Sequence, residues 1–167
     1  MTWRAASSIA LLACMSAWGF WLLHHTKTKA DYVVTSVERH PPLTSCEWVQ
    51  IDSPSISSMG FSQDEGHAWS DRATAFIAFP VKANPDGAWL DLAVSGVAGG
   101  NIFVELEGGR ARYAVKGGGI LRVPVPEASR ARVVLVTVTS KNMRPPEGPE
   151  RRWLGVAISG LRICEGL

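Results

Sequence analysis

The sequence predicts an all-β fold, a two-sheet antiparallel sandwich preceded by one N-terminal transmembrane helix, and three observations predict it. After Cys46 the chain runs through eight short apolar or alternating stretches separated by Gly, Pro, Asn and Asp. No stretch after Leu23 gives ten residues of 3.6-residue periodicity, which leaves helix a minor component. The chain has 167 residues, room for one ordinary domain and too little for a βαβ series. Strands spaced by roughly 8–12 residues then favour two packed antiparallel sheets.

The first element is apolar. From Ala5 to Leu23 no side chain is charged, and at about 1.5 Å per residue a helix of that length covers roughly 28 Å, nearly the hydrocarbon thickness of a bilayer. Trp3 stands at one edge and Trp18 and Trp21 near the other, and His24, His25, Lys27 and Lys29 end the run. Residues 1–25 are read as a signal anchor crossing a membrane, with membrane contact through residues 5–23. Two alternatives stay open. A cleaved secretory signal meets a bulky Met15 where a small residue is wanted. A lipoprotein processed at Leu11-Leu12-Ala13-Cys14 would continue apolar from Met15 to Leu23 where a polar stretch is usual.

Residues 26–45 lack periodicity apart from the pair Val33-Val34 and read as a stalk, and residues 46–167 as the module. Cys14 lies in the apolar run and reads as a small hydrophobe. Cys46 and Cys164 bracket the module, so a fold that brings its ends together pairs them. Such a disulfide closes a loop for which the chain-entropy model gives about 5 kcal/mol, and it persists only in an oxidising compartment such as the periplasm. Two unpaired buried thiols are the alternative.

The module's strands are read as Glu47 to Ile51, Ala73 to Phe79, Ala88 to Val94, Asn101 to Leu106, Arg112 to Val115, Ile120 to Pro124, Arg132 to Val138 and Gly155 to Ile163. Asn84-Pro85-Asp86-Gly87, Glu107-Gly108-Gly109 and Gly117-Gly118-Gly119 supply turns, and Pro145 to Pro149 cannot belong to a central strand. Arg132 to Val138 is apolar at nearly every position, as in a strand covered on both faces. The last strand alternates through Leu154, Val156 and Ile158, then resumes at Leu161 and Ile163. That phase slip at Ser159-Gly160 reads as a bulge.

The segment Gly60-Phe61-Ser62-Gln63-Asp64-Glu65-Gly66-His67-Ala68-Trp69-Ser70-Asp71 pairs a Gly and an aromatic with a Glu and then a Trp followed by Ser. Arg152-Trp153-Leu154-Gly155 leads into the apolar last strand. These two ends resemble the opening and close of the jelly-roll-like β-sandwich module appended to bacterial envelope glycosyltransferases and phosphoglycerol transferases, with Trp153 as a departure from the usual Arg-Leu-Gly. The resemblance covers about Cys46 to Cys164. It implies a jelly-roll-like sandwich and, because the accompanying catalytic domain is not in this sequence, an accessory role.

Function is less legible than architecture. Lys plus Arg number 17 against 15 for Asp plus Glu, which gives no reason to expect nucleic acid as a partner. There is no Gly-x-Ser-x-Gly elbow, no phosphate loop and no zinc spacing, so neither an enzyme nor a cofactor is expected. His24-His25 reads as an interfacial flank and no metal site is expected. Tryptophans matter because an indole offers an apolar face to the C–H bonds of a sugar ring. Trp48, Trp89 and Trp153, each in a strand, are read as core, whereas Trp69 follows a polar loop, Gln63 to His67, and is the candidate for exposure. Glu65, His67, Trp69, Asp71 and Arg152 form the candidate ligand-binding set. Two other readings stand beside it: a Glu65 to Arg152 ion pair tying the module's ends, and calcium held by the acids, Asp64 among them. Arg110, Arg112, Lys116, Arg130 and Arg132 read as a solvated strand face balanced by Glu105, Glu107 and Glu127. The expectation is a non-catalytic protein that holds a glycan or lipid-linked saccharide beside a partner enzyme. The alternative is a structural subunit docking into a larger membrane complex.

Overall fold

The computed structural model describes residues 28–64, 66–82, 87–98, 101–109, 111–126, 132–144 and 152–164. The expected membrane anchor, Cys14, Glu65 and most of the loop from Asn84 to Gly87 lie outside them. Among the described residues no helix is long and apolar enough to cross a membrane.

The first described element is a helix, α1 (Lys29–Val37), in a stretch the sequence reading leaves as stalk. Thr28 caps it: the Asp31 amide donates to Thr28 Oγ1 at 3.2 Å and the Thr28 amide to Asp31 Oδ2 at 3.0 Å, the reciprocal pattern of a capping box. Pro41-Pro42 bars its continuation. Val33, Val34 and Val37 are all buried. The Leu43 amide then donates to the Pro80 carbonyl at 3.0 Å, and Leu43 belongs to the hydrophobic core. Val33 to Leu167 forms one compact unit, so the packed body begins well before Cys46.

Eleven strands follow among the described residues: β1 (Val49–Gln50), β2 (Ser57–Met59), β3 (Phe61–Asp64), β4 (His67–Ser70), β5 (Thr74–Pro80), β6 (Trp89–Val97), β7 (Ile102–Leu106), β8 (Tyr113–Val115), β9 (Gly119–Pro124), β10 (Val133–Ser140) and β11 (Val156–Cys164). Each of the eight runs read from the sequence is a strand, with ends moved by a few residues. The three short polar strands β2, β3 and β4 are additions, since Ser57–Met59 and Phe61–Asp64 carry too little apolar content to signal one. In particular, Gln63, Asp64 and His67 are not loop. They belong to a hairpin in which Asp64 pairs with His67, and Gly66 takes φ +70° at its turn.

The strands form two antiparallel sheets. Sheet I runs β3-β4-β11-β6-β9, with β1 also paired to β11, and sheet II runs β2-β5-β10-β7-β8. The core between them takes Ile77, Phe79, Val136 and Val138 from sheet II and Leu90, Leu92, Val156, Ile158 and Leu161 from sheet I, each with 0% exposure. Burying side chains of this size contributes about 1.5–3 kcal/mol each. As expected, β10 is central, between β5 and β7, and Val133 to Val136 are buried on both faces. The expected bulge is also present. Between Ile158 and Gly160 the register to β6 shifts and leaves Ser159 unpaired. Gly160 is required there, since a Cβ would stand 2.8 Å from the Val49 carbonyl oxygen of β1.

Cys46 and Cys164 form a disulfide, with Cα atoms 4.4 Å apart. The Cys46 amide donates to the Ile163 carbonyl at 2.7 Å.

Candidate functional site

The outward faces of the two sheets differ. On sheet II, Ala78, Val133 and Leu135 are buried although they lie outside the central core. On sheet I, strand alternation that sends Leu90 and Leu92 inward turns Trp89 and Asp91 outward. By the same alternation Arg122 of β9 and Arg162 of β11 come out between core neighbours, and both face Asp91 directly in register.

This register builds a charged ladder across three strands. Arg122 donates from Nε to Asp91 Oδ1 at 2.7 Å and from Nη2 to Oδ2 at 2.9 Å. Arg162 donates from Nε to Oδ2 at 3.0 Å. Asp91 has no exposure, whereas the Arg122 and Arg162 side chains keep 58% and 27%, so the guanidiniums form the wet cover of a dry carboxylate. The hydrogen bonds from Arg122 are the largest influence holding the Asp91 carboxyl below its ordinary 3.8; burial opposes them and Arg162 adds to them. Asp91 in turn raises the pKa of Arg122. Each guanidinium also stacks on an indole, Arg122 over Trp89 at 5.0 Å from the ring centre and Arg162 over Trp48 at 4.7 Å. Trp48-Arg162-Asp91-Arg122-Trp89 is therefore one continuous assembly.

None of the three tryptophans read as core lies in the core. Trp48 is 41% exposed and Trp153 64%, the first because β1 turns Val49 toward the core and leaves Trp48 outside, the second because Trp153 precedes the last strand. Trp89 is half-buried on the outward face.

Trp69, the candidate for partial exposure, is half-buried. It lies opposite Ala157 of β11, which lies opposite Gly96 of β6, and a Cβ at Gly96 would meet Trp69 Cη2 at 3.1 Å. The indole thus lies across a trough of small residues. His67 meets it edge-on, with ring centres 6.0 Å apart, and places Nε2 3.7 Å from Asp64 Oδ2. Asp71 accepts a hydrogen bond from Ser62 Oγ, and Ser62 is the residue opposite Trp69. His67, Trp69 and Asp71 are thus gathered on one hairpin. Arg152 is exposed and precedes Gly155, whose amide donates to the Ser70 carbonyl at 2.8 Å. That leads its segment to the Ser70 end of β4, away from the turn. Its expected partner Glu65 lies outside the described residues.

Among the described residues no group of His, Cys, Asp and Glu could hold a metal ion. In the basic middle, Arg112 pairs with Glu105 at 2.8 Å, in keeping with a balanced strand face. A cleft of about 290 Å³ is lined by Glu38, His40, Lys82 and Arg132, with Pro42 and Pro80; its charges are of both signs.

The candidate ligand-binding set read from the sequence does not include Asp91, Arg122 and Arg162. Their signal is a charged residue between two apolar neighbours in each of three strands: Leu90-Asp91-Leu92, Leu121-Arg122-Val123 and Leu161-Arg162-Ile163. No known family model matches the chain, and no curated protein matches it.

Proposed function

We propose that this protein is a non-catalytic envelope accessory protein whose sandwich binds a glycan or lipid-linked saccharide on the outward face of sheet I, beside an enzyme supplied by another chain. One observation carries the reading: Trp48, Trp69 and Trp89 all stand on that outward sheet face, partly exposed, with Arg162, His67 and Arg122 against their rings. Trp69 and Trp48 pack near Ala157 and Arg162, five positions apart on β11 or roughly 15 Å at the usual strand rise, a span suited to several sugar rings. Apolar faces beside fixed polar donors are the chemistry of saccharide recognition. The Cys46–Cys164 disulfide is in keeping with a periplasmic module, the apolar stretch from residue 5 to 23 with an inner-membrane anchor, and the antiparallel two-sheet order with a jelly-roll-like topology.

The test is titration of the full chain in detergent with a panel of neutral and acidic oligosaccharides, read by intrinsic tryptophan fluorescence. Saturable quenching by at least one saccharide, weakened about tenfold or more in Trp48→Ala, is expected; a flat response across the panel removes the reading. A second reading, a structural subunit without a ligand of its own, is favoured by the exposure of Trp153 and Ile120, at 64% and 61%. It requires a stoichiometric partner on purification from membranes, with no saccharide bound.

A further inference from the structure

We infer that the outward face of sheet I selects acidic saccharides, with Arg162 and Arg122 supplying a subsite for a carboxylate or phosphate group between Trp48 and Trp89. The inference rests on the glycan reading above and specifies its ligand. Charge is the first argument. Asp91 is a single carboxylate, and Arg122 alone meets both of its oxygens. Neutralising a buried carboxylate in this geometry needs one guanidinium, yet a second is brought to it from β11, so the ladder carries a net positive charge at the surface. Donor supply is the second argument. A guanidinium has five N–H groups. Asp91 takes one from Arg162 and two from Arg122, and the remaining donors have no hydrogen-bond partner among the described residues.

Rigidity is the third. The Nε bond to Asp91 and the stack on Trp48 fix Arg162 from two sides, and a planar fork held this way binds an oxyanion bidentately with little ordering cost. The flanking indoles supply what a free inorganic ion would not use, an apolar wall for a sugar ring. An oxyanion carried on a saccharide satisfies both parts of the assembly at once.

The experiment compares, on the full chain in detergent, a galacturonic acid pentamer, its fully methyl-esterified form and a phosphorylated mannose pentamer. We expect the esterified pentamer to bind about tenfold or more weakly than the acid, the loss of one charge-assisted contact, and added salt to weaken the acid alone. Arg162→Gln should close the gap between acid and ester, while Arg162→Lys should keep part of it. Arg122 still satisfies Asp91 in both variants, and the ester comparison on the unaltered chain needs no variant at all. Preference for the phosphorylated pentamer supports the same subsite with phosphate as its group. Equal binding of acid and ester overturns the acidic preference and leaves the glycan reading standing. No binding by any of the three, with none in the wider panel, removes both.

Discussion

Asp91 is the residue through which sheet I's outward face is organised. A lone carboxylate in a dry site is costly, and it is tolerated because Arg122 meets both of its oxygens from β9, with Arg162 adding a further contact from β11. The consequence is a defined pH dependence. The folded-state pKa of Asp91 lies below the ordinary 3.8, so its ionised form favours the folded state at all pH values above the unfolded-state pKa. That contribution fades as pH falls through the folded-state value. Asp91→Asn removes the titration. Urea midpoints should therefore place the variant below the wild type from neutral pH down to about 5, with the gap closing below about pH 4. A constant gap throughout would show that Asp91 is not the group responsible. Each of the three charged residues is visible in the sequence as an interruption between two apolar neighbours, which says that it points outward. Their convergence is not visible, because it depends on β11 lying beside β6 and β6 beside β9, pairings with sequence separations that no local pattern records.

At the scale of elements, long apolar runs were legible and short polar ones were not. The strands β5, β6, β10 and β11 carry enough Val, Ile, Leu and Phe to declare themselves, whereas β3 and β4 are held as strands by their own hairpin ladder and by the pairing of β4 with β11 along Ala157 and Ile158. The helix α1 is hard to read because its nine residues bury just three side chains, all Val, a residue with modest helix propensity; the cap at Thr28 and the i, i+4 pair Val33 and Val37 are its signals. The β3–β4 hairpin is held to sheet I partly by Trp69, whose ring crosses β11 at Ala157 to reach Gly96. This coupling of three strands is testable at its far end. Gly96→Val places side-chain atoms where the indole lies, and the ring must lift from the trough. We expect a loss of about 1–3 kcal/mol, the range for overpacking a fitted contact, measured by urea unfolding, together with a red-shifted tryptophan emission. The same stability loss without any emission change would mean that the strain falls on β6 itself.

For the molecule as a whole, the chain's last strand is not at an edge. β11 sits inside sheet I, between β6 on one side and β1 and β4 on the other, so the fold closes only when residues near both ends of the module meet. The Cys46–Cys164 bridge secures that meeting across a separation of 118 residues. Most of its effect falls on the unfolded chain, where it forbids the expanded states in which β1 and β11 lie far apart. The native sheets have their own ladders and core. Replacing both cysteines by Ala should therefore leave the tryptophan bands in the near-ultraviolet circular dichroism of the folded protein unchanged while lowering its unfolding free energy by up to about 5 kcal/mol. Urea titration of the two proteins measures the difference, and a larger m-value in the Ala variant would report the more expanded unfolded chain directly. A variant that keeps its stability but loses the near-ultraviolet signal would invert the argument, because the bridge would then be shaping the native packing around Trp48 and Trp89 instead of restricting the unfolded state.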